Sequence, residues 1–428
     1  MSAAPGPAAA GGTPSRAGGL RAVLHRWTGE EAFAAGTCEG TRWQDGALRL
    51  AAPVGVAPYD DPFGHGCLDW EFGRWTSPWT RLPSGAFDVI PSWTADAPDG
   101  TRLEVRLQIR DGGGTEWGWY VLARWCAGDA VVHRATVPGQ ADGGGRVEVD
   151  TFLAGPRGLA SYRISVVLAR QPGGGTAQPA LYGLRAAASA PPPQGAPAAP
   201  PDAAARTAAG PGVAWGTVLD VPGRSQGVHA GHCPQWDGGG EAWAGPACTA
   251  MLVEYFGRGP DAADVAWLDP QDPAPQVDFA ARQVYDYGYR GCGNWAFNVA
   301  YAARFGLDGL VLRLSSLTDV ERFVAAGLPV AAPLSARSGE LSGAGPDVAA
   351  GYSYDTAGNI LVVRGFTIAG DVVVNDPLSA SDDATHRVYP RAAFERVWLT
   401  GGAAGAAYVL RPADRPLPPR PPGEPPRW

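Results

Sequence analysis

One alternating stretch, Thr101-Arg-Leu-Glu-Val-Arg-Leu-Gln-Ile-Arg110, indicates the fold of the first half of the chain. Its apolar side chains recur at every second position, which is the period of a β-strand with one face in a core. A Gly-rich turn at 112–114 leads into a second β-rich run at 117–125, so we predict a hairpin. Further runs at 146–153 and 162–168 extend the pattern, and we predict an antiparallel β-sandwich over residues 20–185.

Composition limits the class of protein. The chain has 428 residues, of which 60 are Gly, 41 are Pro and 18% are charged, and this length is typical of two or three domains. The net charge is -8 and there is no lysine, so the basic surface of a nucleic-acid binder is missing. No apolar run approaches the roughly 20 residues of a transmembrane helix. We therefore expect neither a nucleic-acid partner nor a transmembrane segment.

The composition of three segments predicts a linker and two chain termini outside the folded domains. Residues 1–19 are rich in Ala, Gly and Pro, and we expect them to be disordered. They lack the charged start and apolar core of a secretory leader, so a cytoplasmic location is the default expectation. Residues 186–212 are predicted to be a Pro/Ala-rich linker, and 413–428 a solvated Pro-rich tail.

The segment between linker and tail, residues 213–412, mixes helices and strands. Pro246 in the first turn and Gly257 at the end bound one helix that is apolar nearly all round. Ser316 and Asp319 start a capped helix that ends at Gly327. The remaining predicted elements are helices at 277–289 and 294–305 and strands at 328–334, 360–366 and 371–375. Helices followed by an antiparallel sheet predict an α+β domain.

Several separated motifs occur in an order that resembles a known family. The motifs in the second domain are Val221-Pro-Gly-Arg-Ser-Gln226, Gly238-Gly-Gly-Glu-Ala-Trp243, Ala244-Gly-Pro-Ala247, Gly358-Asn-Ile-Leu-Val-Val363 and Val372-Val-Val-Asn-Asp-Pro377. Those in the first domain are Ile90-Pro-Ser-Trp93, Trp119-Tyr120 and Val137-Pro-Gly-Gln140. Together they resemble the peptidase C39-like proteins of actinobacteria. The resemblance implies a papain-like cysteine peptidase fold behind an N-terminal β-sandwich, and an exported protein.

The chemistry of that family assigns a role to four positions. Such enzymes use a cysteine thiolate at a helix N-terminus, a histidine base on a strand, a carboxylate that orients the histidine, and a glutamine that donates to the oxyanion. By resemblance Gln226 is the oxyanion donor and Asp376 is the orienting carboxylate. Ala244 stands at the nucleophile position and Asn359 at the base position. Both reactive groups are therefore missing.

This departure predicts a degenerate peptidase. A methyl group cannot attack a carbonyl, and a carboxamide has no useful proton affinity near neutral pH. A papain-like cleft can still bind a peptide or polypeptide segment, with Trp243 and Gly240 as expected contacts and core packing as an equal alternative for Trp243. We expect no cofactor.

Two other functions stay open. The first is an active cysteine peptidase with a displaced nucleophile, either Cys248, one helical turn after Ala244, or Cys233 with a nearby histidine. The second is glycan or cell-surface binding through tryptophans of the β-sandwich. Core packing is the commoner use of such tryptophans.

Three further groups of residues have side chains that could carry chemistry. Cys233 and Cys292 interrupt segments that flank the same cleft, which makes a disulfide between them a hypothesis. His229, His232 and Cys233 are metal-ligating types at tight spacing, but we expect solvated loop histidines and no metal. Asp382, Asp383 and His386 are interpreted as an exposed charged loop.

Overall fold

A computed structural model of the protein describes residues 21–173, 177–190, 212–343, 351–401, 403–420, 423 and 426–428. The expected disordered segment 1–19 lies outside the described residues, as does 191–211, most of the expected linker. Among the described residues, no helix combines the length and the apolar character that crossing a membrane requires.

The N-terminal domain is a β-sandwich, as predicted. It contains one short helix, α1 (Gly29–Ala34), and the strands β1 (Arg21–Thr28), β2 (Thr37–Glu39), β3 (Thr41–Gln44), β4 (Ala47–Leu50), β5 (Gly55–Asp61), β6 (Gly66–Thr76), β7 (Thr80–Ala86), β8 (Asp88–Asp96), β9 (Thr101–Asp111), β10 (Glu116–Trp125), β11 (Gly145–Glu148), β12 (Thr151–Ala154), β13 (Leu159–Arg170) and β14 (Ala180–Ala190). These strands form two seven-stranded sheets, and one hydrophobic core contains side chains of both. The alternating stretch is β9, in the centre of its sheet and paired with β10.

The pairing is antiparallel throughout the sandwich. One sheet has the order β11-β12-β8-β14-β4-β3, with β1 also on β14. The other has the order β10-β9-β13-β6-β2, with β5 on β6 and β7 on β13. The single strand expected at 146–153 is two strands, because the chain reverses at Val149, where φ is 54°.

The C-terminal domain is α+β, as predicted. Its elements are α2 (Ala244–Tyr255), α3 (Pro275–Val284), α4 (Trp295–Tyr301), β15 (Leu307–Arg313), α5 (Leu317–Ala325), β16 (Val330–Ala336), β17 (Thr356–Phe366), β18 (Val372–Asn375), β19 (His386–Tyr389), α6 (Arg391–Thr400) and β20 (Ala406–Pro412). The strands form one antiparallel sheet in the order β15-β20-β16-β17-β18-β19. The Ser316 hydroxyl caps α5 by accepting from the Asp319 amide at 3.4 Å.

Helix α2 lies at the centre of this domain. Its residues from Gly245 to Val253 are all buried, which agrees with its apolar sequence. It packs against β17 on one side and against α3 and α4 on another. The start of α2 and the middle of β17, where the family motifs fall, are therefore held against one another by the core.

The two domains share a hydrophobic core. The ring of Phe297 in α4 lies 6.2 Å from that of Trp93 and 5.2 Å from that of Trp125, both from the sandwich. Arg134 of the sandwich is fully buried, and its guanidinium donates to the carbonyl of Arg282 in α3 at 2.8 Å. Buried apolar and polar contacts therefore join the domains, beyond the connecting chain.

Two expected boundaries are corrected by the structure. Strand β14 continues to Ala190, which pairs with Arg21, so the linker cannot begin at residue 186. Most of the described C-terminal tail is exposed, as expected, but its last residue is packed against the fold. Trp428 is 3% exposed, and its ring lies 5.2 Å from that of Phe323 in α5. Arg427 also pairs with Asp319 at 3.1 Å, so an aromatic anchor and an ion pair hold the end of the tail.

Candidate functional site

Ala244 is the first residue of α2, at the end of the helix where backbone N–H groups are unpaired. Its side chain is half-buried. Gln226 immediately precedes a short 3-10 helix, Gly227–His229. The Gln226 Nε2 donates to the carbonyl of Glu241 at 2.5 Å, and its Oε1 is buried without a hydrogen-bond partner among the described residues. One hydrogen of the expected oxyanion donor is therefore already engaged.

Asn359 and Asp376 lie next to each other on neighbouring strands. Asn359 is in β17, and Asp376 directly follows β18, which pairs with β17. The Asn359 Nδ2 donates to Asp376 Oδ1 at 3.2 Å. Asn359 is 3% exposed and Asp376 is fully buried. The structure thus brings together the two residues that resemblance placed at the base and orienting positions.

Two tyrosines complete this buried network. The hydroxyls of Tyr352 and Tyr389 each donate to Asp376 Oδ2 at 2.8 Å. Tyr352 Oη also accepts from Asn359 Nδ2 at 2.6 Å. Burial, and then the charge of Asp376, raise the pKa of both phenols above their usual value. Neither tyrosine could be recognised from the sequence, because neither lies in a motif and only the fold brings them to Asp376.

The helix and strand of the site are also joined by Cys248. Its thiol donates to the carbonyl of Ile360, the residue after Asn359, at 3.1 Å. The side chain is fully buried, and burial raises the pKa of the thiol well above its usual value. Cys248 therefore ties α2 to β17 as a packed core residue.

The two expected peptide contacts are buried. Trp243 is fully enclosed, and its Nε1 donates to the carbonyl of Trp236 at 2.8 Å. A Cβ at Gly240 would lie 2.3 Å from the carbonyl of His229, so the backbone there leaves no room for a side chain. Both residues shape the loop before α2, and neither presents a surface to a ligand.

The hypothetical disulfide is not formed. Cys233 and Cys292 are both free thiols. The Cys292 thiol is buried and lies 3.7 Å from the carbonyl of Ala281, while Cys233 is half-buried in the loop before α2. Burial raises the pKa of both thiols.

The histidines of the same loop are not both solvated, contrary to expectation. His229 is fully buried, with Nδ1 2.6 Å from Asp278 Oδ2 and 3.7 Å from Asp272 Oδ1. The His232 side chain is 36% exposed, and its Nδ1 lies 3.2 Å from Asp278 Oδ1. Neither aspartate could be connected with the histidines from the sequence, because both follow dozens of residues later in the chain.

The acidic loop after β18 has a structural partner. The Asp382 carboxylate pairs with Arg224 at 2.9 Å and accepts from the Ser225 amide at 2.7 Å. His386 is exposed. These contacts hold the segment before Gln226 against the loop after Asp376.

Comparisons with known proteins match both halves of the chain. Residues 23–189 match the family model described as Peptidase C39 N-terminal domain, and residues 218–405 match Peptidase_C39 like family. None of the curated proteins matches the chain.

Two solved structures are remotely similar. A C39-like peptidase from Bacillus anthracis is 16% identical, covers 46% of this chain and 96% of its own, and gives a TM-score of 0.28. A xylan-binding domain from CBM 22 is 13% identical, covers 39% of this chain and 92% of its own, and gives a TM-score of 0.17.

The protein therefore belongs to the class in which a papain-like α+β domain follows a β-sandwich. With both of its domains matched in order, the chain belongs to the peptidase C39-like family.

Proposed function

We propose that the protein is a catalytically degenerate member of its family that binds polypeptide segments without cleaving them. The proposal rests on the pair Ala244 and Asn359, which by resemblance to the family's motifs stand where its chemistry needs a thiol and an imidazole. A methyl group has no lone pair with which to attack a carbonyl, and a carboxamide does not take up a proton near neutral pH. Acyl transfer by the family's route lacks both of its reactive groups.

The hydrogen bonds of Asn359 support the loss of the base. Its Nδ2 donates to Tyr352 and Asp376, and its Oδ1 accepts from the Ile360 amide at 2.8 Å. Asp376 in turn accepts from two tyrosine hydroxyls. Since a buried carboxylate needs donors, this network satisfies Asp376 with neutral groups and does not require a histidine. The network then serves as a structural connection between β17 and β18.

The chemistry of the remaining thiols disfavours a displaced nucleophile. A reactive cysteine needs a lowered pKa and access to its substrate. Cys248 is buried with a raised pKa. Burial raises the pKa of Cys233 as well, and Asp278 and Asp272 raise it further. An active peptidase built on either thiol remains the alternative that the experiment below tests.

The aromatic surface beside the Asn359 network supports the binding function. Tyr354 is 51% exposed, and its ring stacks on that of Tyr352 at 6.0 Å. An exposed tyrosine over a rigid buried one offers a ligand a large contact area at a low cost in side-chain entropy. Because Ala244 is half-buried and its side chain is only a methyl group, the backbone of a bound polypeptide can come close to the start of α2. We therefore place the polypeptide contact at Tyr354 in place of Trp243 and Gly240.

The first experiment restores the reactive pair in the full chain. Ala244→Cys together with Asn359→His is compared with Ala244→Cys alone, and the rate of alkylation at residue 244 is followed by peptide mass spectrometry. If the two positions face each other, the histidine lowers the thiol pKa and alkylation near pH 7 becomes about 10-fold faster than in the single variant. Equal rates in two correctly folded variants would contradict the placement of the site.

The second experiment tests cleavage and binding in the parent protein. We expect no hydrolysis of a broad peptide library, and activity that disappears in Cys248→Ala or Cys233→Ala would establish the alternative enzyme. Peptides retained by the parent should bind about 10-fold more weakly to Tyr354→Ala. Tyr182→Ala, a tyrosine of the sandwich that is 40% exposed, is the matched control. Equal affinity in both variants would exclude the proposed contact.

A glycan-binding function has less support. Trp70, Trp75, Trp93 and Trp125 are buried in the sandwich, as core packing predicts. Trp119 is 38% exposed, and the Arg163 guanidinium lies 5.4 Å from its ring. The guanidinium groups of Arg110 and Arg163 lie 3.9 Å and 4.9 Å from the Trp79 ring, so this ring already has cationic partners. Polysaccharide retention by the full chain that is lost in Trp119→Ala would favour this function.

A further inference from the structure

A second group of chemically active side chains lies beside the candidate site. His229 and His232 belong to the loop that precedes α2, while Asp272 lies just before α3 and Asp278 in its first turn. One ligand atom from each of the four residues lies within 4.8 Å of the other three. The fold therefore gathers two imidazoles and two carboxylates from segments that are far apart in sequence.

Several polar atoms of this group are buried without a hydrogen bond. His229 and Asp278 are both fully buried. Among the described residues, both ring nitrogens of His229 and Oδ2 of Asp278 have no hydrogen-bond partner, although Nδ1 and Oδ2 lie only 2.6 Å apart. Buried polar atoms in folded proteins are almost always partnered by protein, water or an ion. A cation coordinated by both Nδ1 and Oδ2 gives each of these atoms a partner.

The types of ligand atom in this group indicate which ion it binds. Two neutral imidazoles and two carboxylates suit Zn²⁺, whereas Ca²⁺ and Mg²⁺ take oxygen ligands. Zinc bonds of about 2.0–2.2 Å place the ligand atoms of a tetrahedron about 3.3–3.6 Å apart. The separations from Nδ1 of each histidine to the carboxylate oxygens are 2.6, 3.2, 3.7 and 3.9 Å. Three of them lie near this value, and the pair His229 and Asp278 has to move apart when the ion binds. The two carboxylate charges also balance the charge of the ion.

We propose that His229, His232, Asp272 and Asp278 bind one Zn²⁺ ion. Four protein ligands close the coordination sphere, which is typical of a structural site. The ion joins the loop that carries Gln226 and leads to Ala244 with the start of α3. It thereby holds the loop that leads into α2 against the start of α3. This site is independent of the proposed binding function.

One other group of the described residues has metal-ligating types, namely Asp61, His65 and His133. Its atoms already have partners. His133 Nδ1 contacts Asp61 Oδ2 at 2.7 Å, and His65 Nε2 contacts the carbonyl of Asp129 at 2.7 Å. In the first group His232 Nδ1 contacts Asp278 Oδ1 at 3.2 Å, but both ring nitrogens of the buried His229 lack a hydrogen bond among the described residues, and the proposal rests on that group.

The test compares zinc binding by untagged full-length protein and two variants. His232→Gln removes the most exposed ligand, so the fold should survive the change. His386→Gln removes an exposed histidine in β19 and serves as the control. Each protein is treated with a chelator, reloaded with zinc and desalted, and its metal content is measured by mass spectrometry. The affinity for zinc is measured by titration. The midpoint of thermal unfolding is measured with and without zinc.

We expect one more equivalent of zinc in the parent and in His386→Gln than in His232→Gln. Loss of an outer-shell partner already costs about 10- to 100-fold in affinity, so loss of a ligand should cost at least about 100-fold. Zinc should raise the thermal midpoint of the parent more than that of His232→Gln, because the ion binds the native state. Equal zinc content in all three proteins, or no bound zinc in the parent, would overturn the proposal.

Discussion

Replacement of Phe297 by Ala tests the shared core between the domains. The Phe297 ring is fully buried and lies edge-on or tilted against Trp93 and Trp125, which belong to the sandwich. Truncation to a methyl group removes both aromatic contacts and leaves a cavity at the interface. Because the neighbouring rings come from β8 and β10, two strands of different sheets, they cannot easily collapse into that cavity.

The expected loss of stability follows from these contacts. Burial and cavity effects for a Phe→Ala change in a core amount to about 3–5 kcal/mol. Each aromatic pair contributes about 0.5–1.5 kcal/mol beyond its buried area, and Phe297 makes two such pairs, which favours the upper part of that range. Since a native domain is stable by about 5–15 kcal/mol, the variant should lose a large fraction of its stability.

The assay is equilibrium unfolding in urea, followed by tryptophan fluorescence and far-ultraviolet circular dichroism. The fluorescence sums over the 16 tryptophans of the chain, nine of them in the sandwich and Trp93 and Trp125 at the interface, and the dichroism reports on both domains. The control is Phe394→Ala in α6, which is equally buried but belongs to another hydrophobic cluster and has its aromatic neighbour, Trp398, in the same helix. Both variants should be destabilised, but only Phe297→Ala should separate the fluorescence and dichroism transitions. A loss below about 1 kcal/mol for Phe297→Ala, or separated transitions in the parent, would refute a shared cooperative core.

Two further predictions concern the interface and the tail. Burial raises the pKa of Asp150, whose carboxylate accepts from the Trp295 amide at 2.7 Å, to about 6. Because the folded protein binds this proton more tightly than the unfolded chain, the free energy of unfolding is highest below the unfolded pKa near 3.8. It falls by about 3 kcal/mol as the pH rises through about 6. Asp150→Asn should remove this slope from urea unfolding curves recorded between pH 4 and 7.5, and an unchanged slope would contradict the assignment. Trp428→Ala should cost about 2–3 kcal/mol, less than an enclosed Trp, because the tail can detach. Trp119→Ala is its control, and a thermal midpoint for Trp428→Ala equal to that of the parent would mean that the tail does not anchor the fold.

Much of the fold was predictable because its signals are local. The alternation at 101–110 is β9, the Pro-initiated apolar helix is α2, and Ser316 caps α5. Element ends were less predictable. The helix expected to reach residue 289 ends at Val284, because the Asp286 carboxylate instead accepts from the amides of Thr136, Gly288 and Tyr289. One of these donors comes from the other domain, which no local pattern reveals.

The candidate site was predictable only in part. The motif order placed Asn359 and Asp376 at two positions that adjacent strands do bring together. The same motifs suggested Trp243 and Gly240 as peptide contacts, with packing as an equal alternative for Trp243, and the fold buries both. The motifs contained no information on burial, because burial depends on what the rest of the chain packs over a residue.

The sequence by itself determined the strand and helix periods, the order of the two domains, and the absence of sulfur and imidazole at residues 244 and 359. These are properties of single positions or of near neighbours. Only the tertiary structure decided that Tyr352 and Tyr389 share Asp376, that the tail docks through Trp428, and that His229 faces Asp278. Each of these contacts joins different elements, and the packing of the whole chain sets the distance between them.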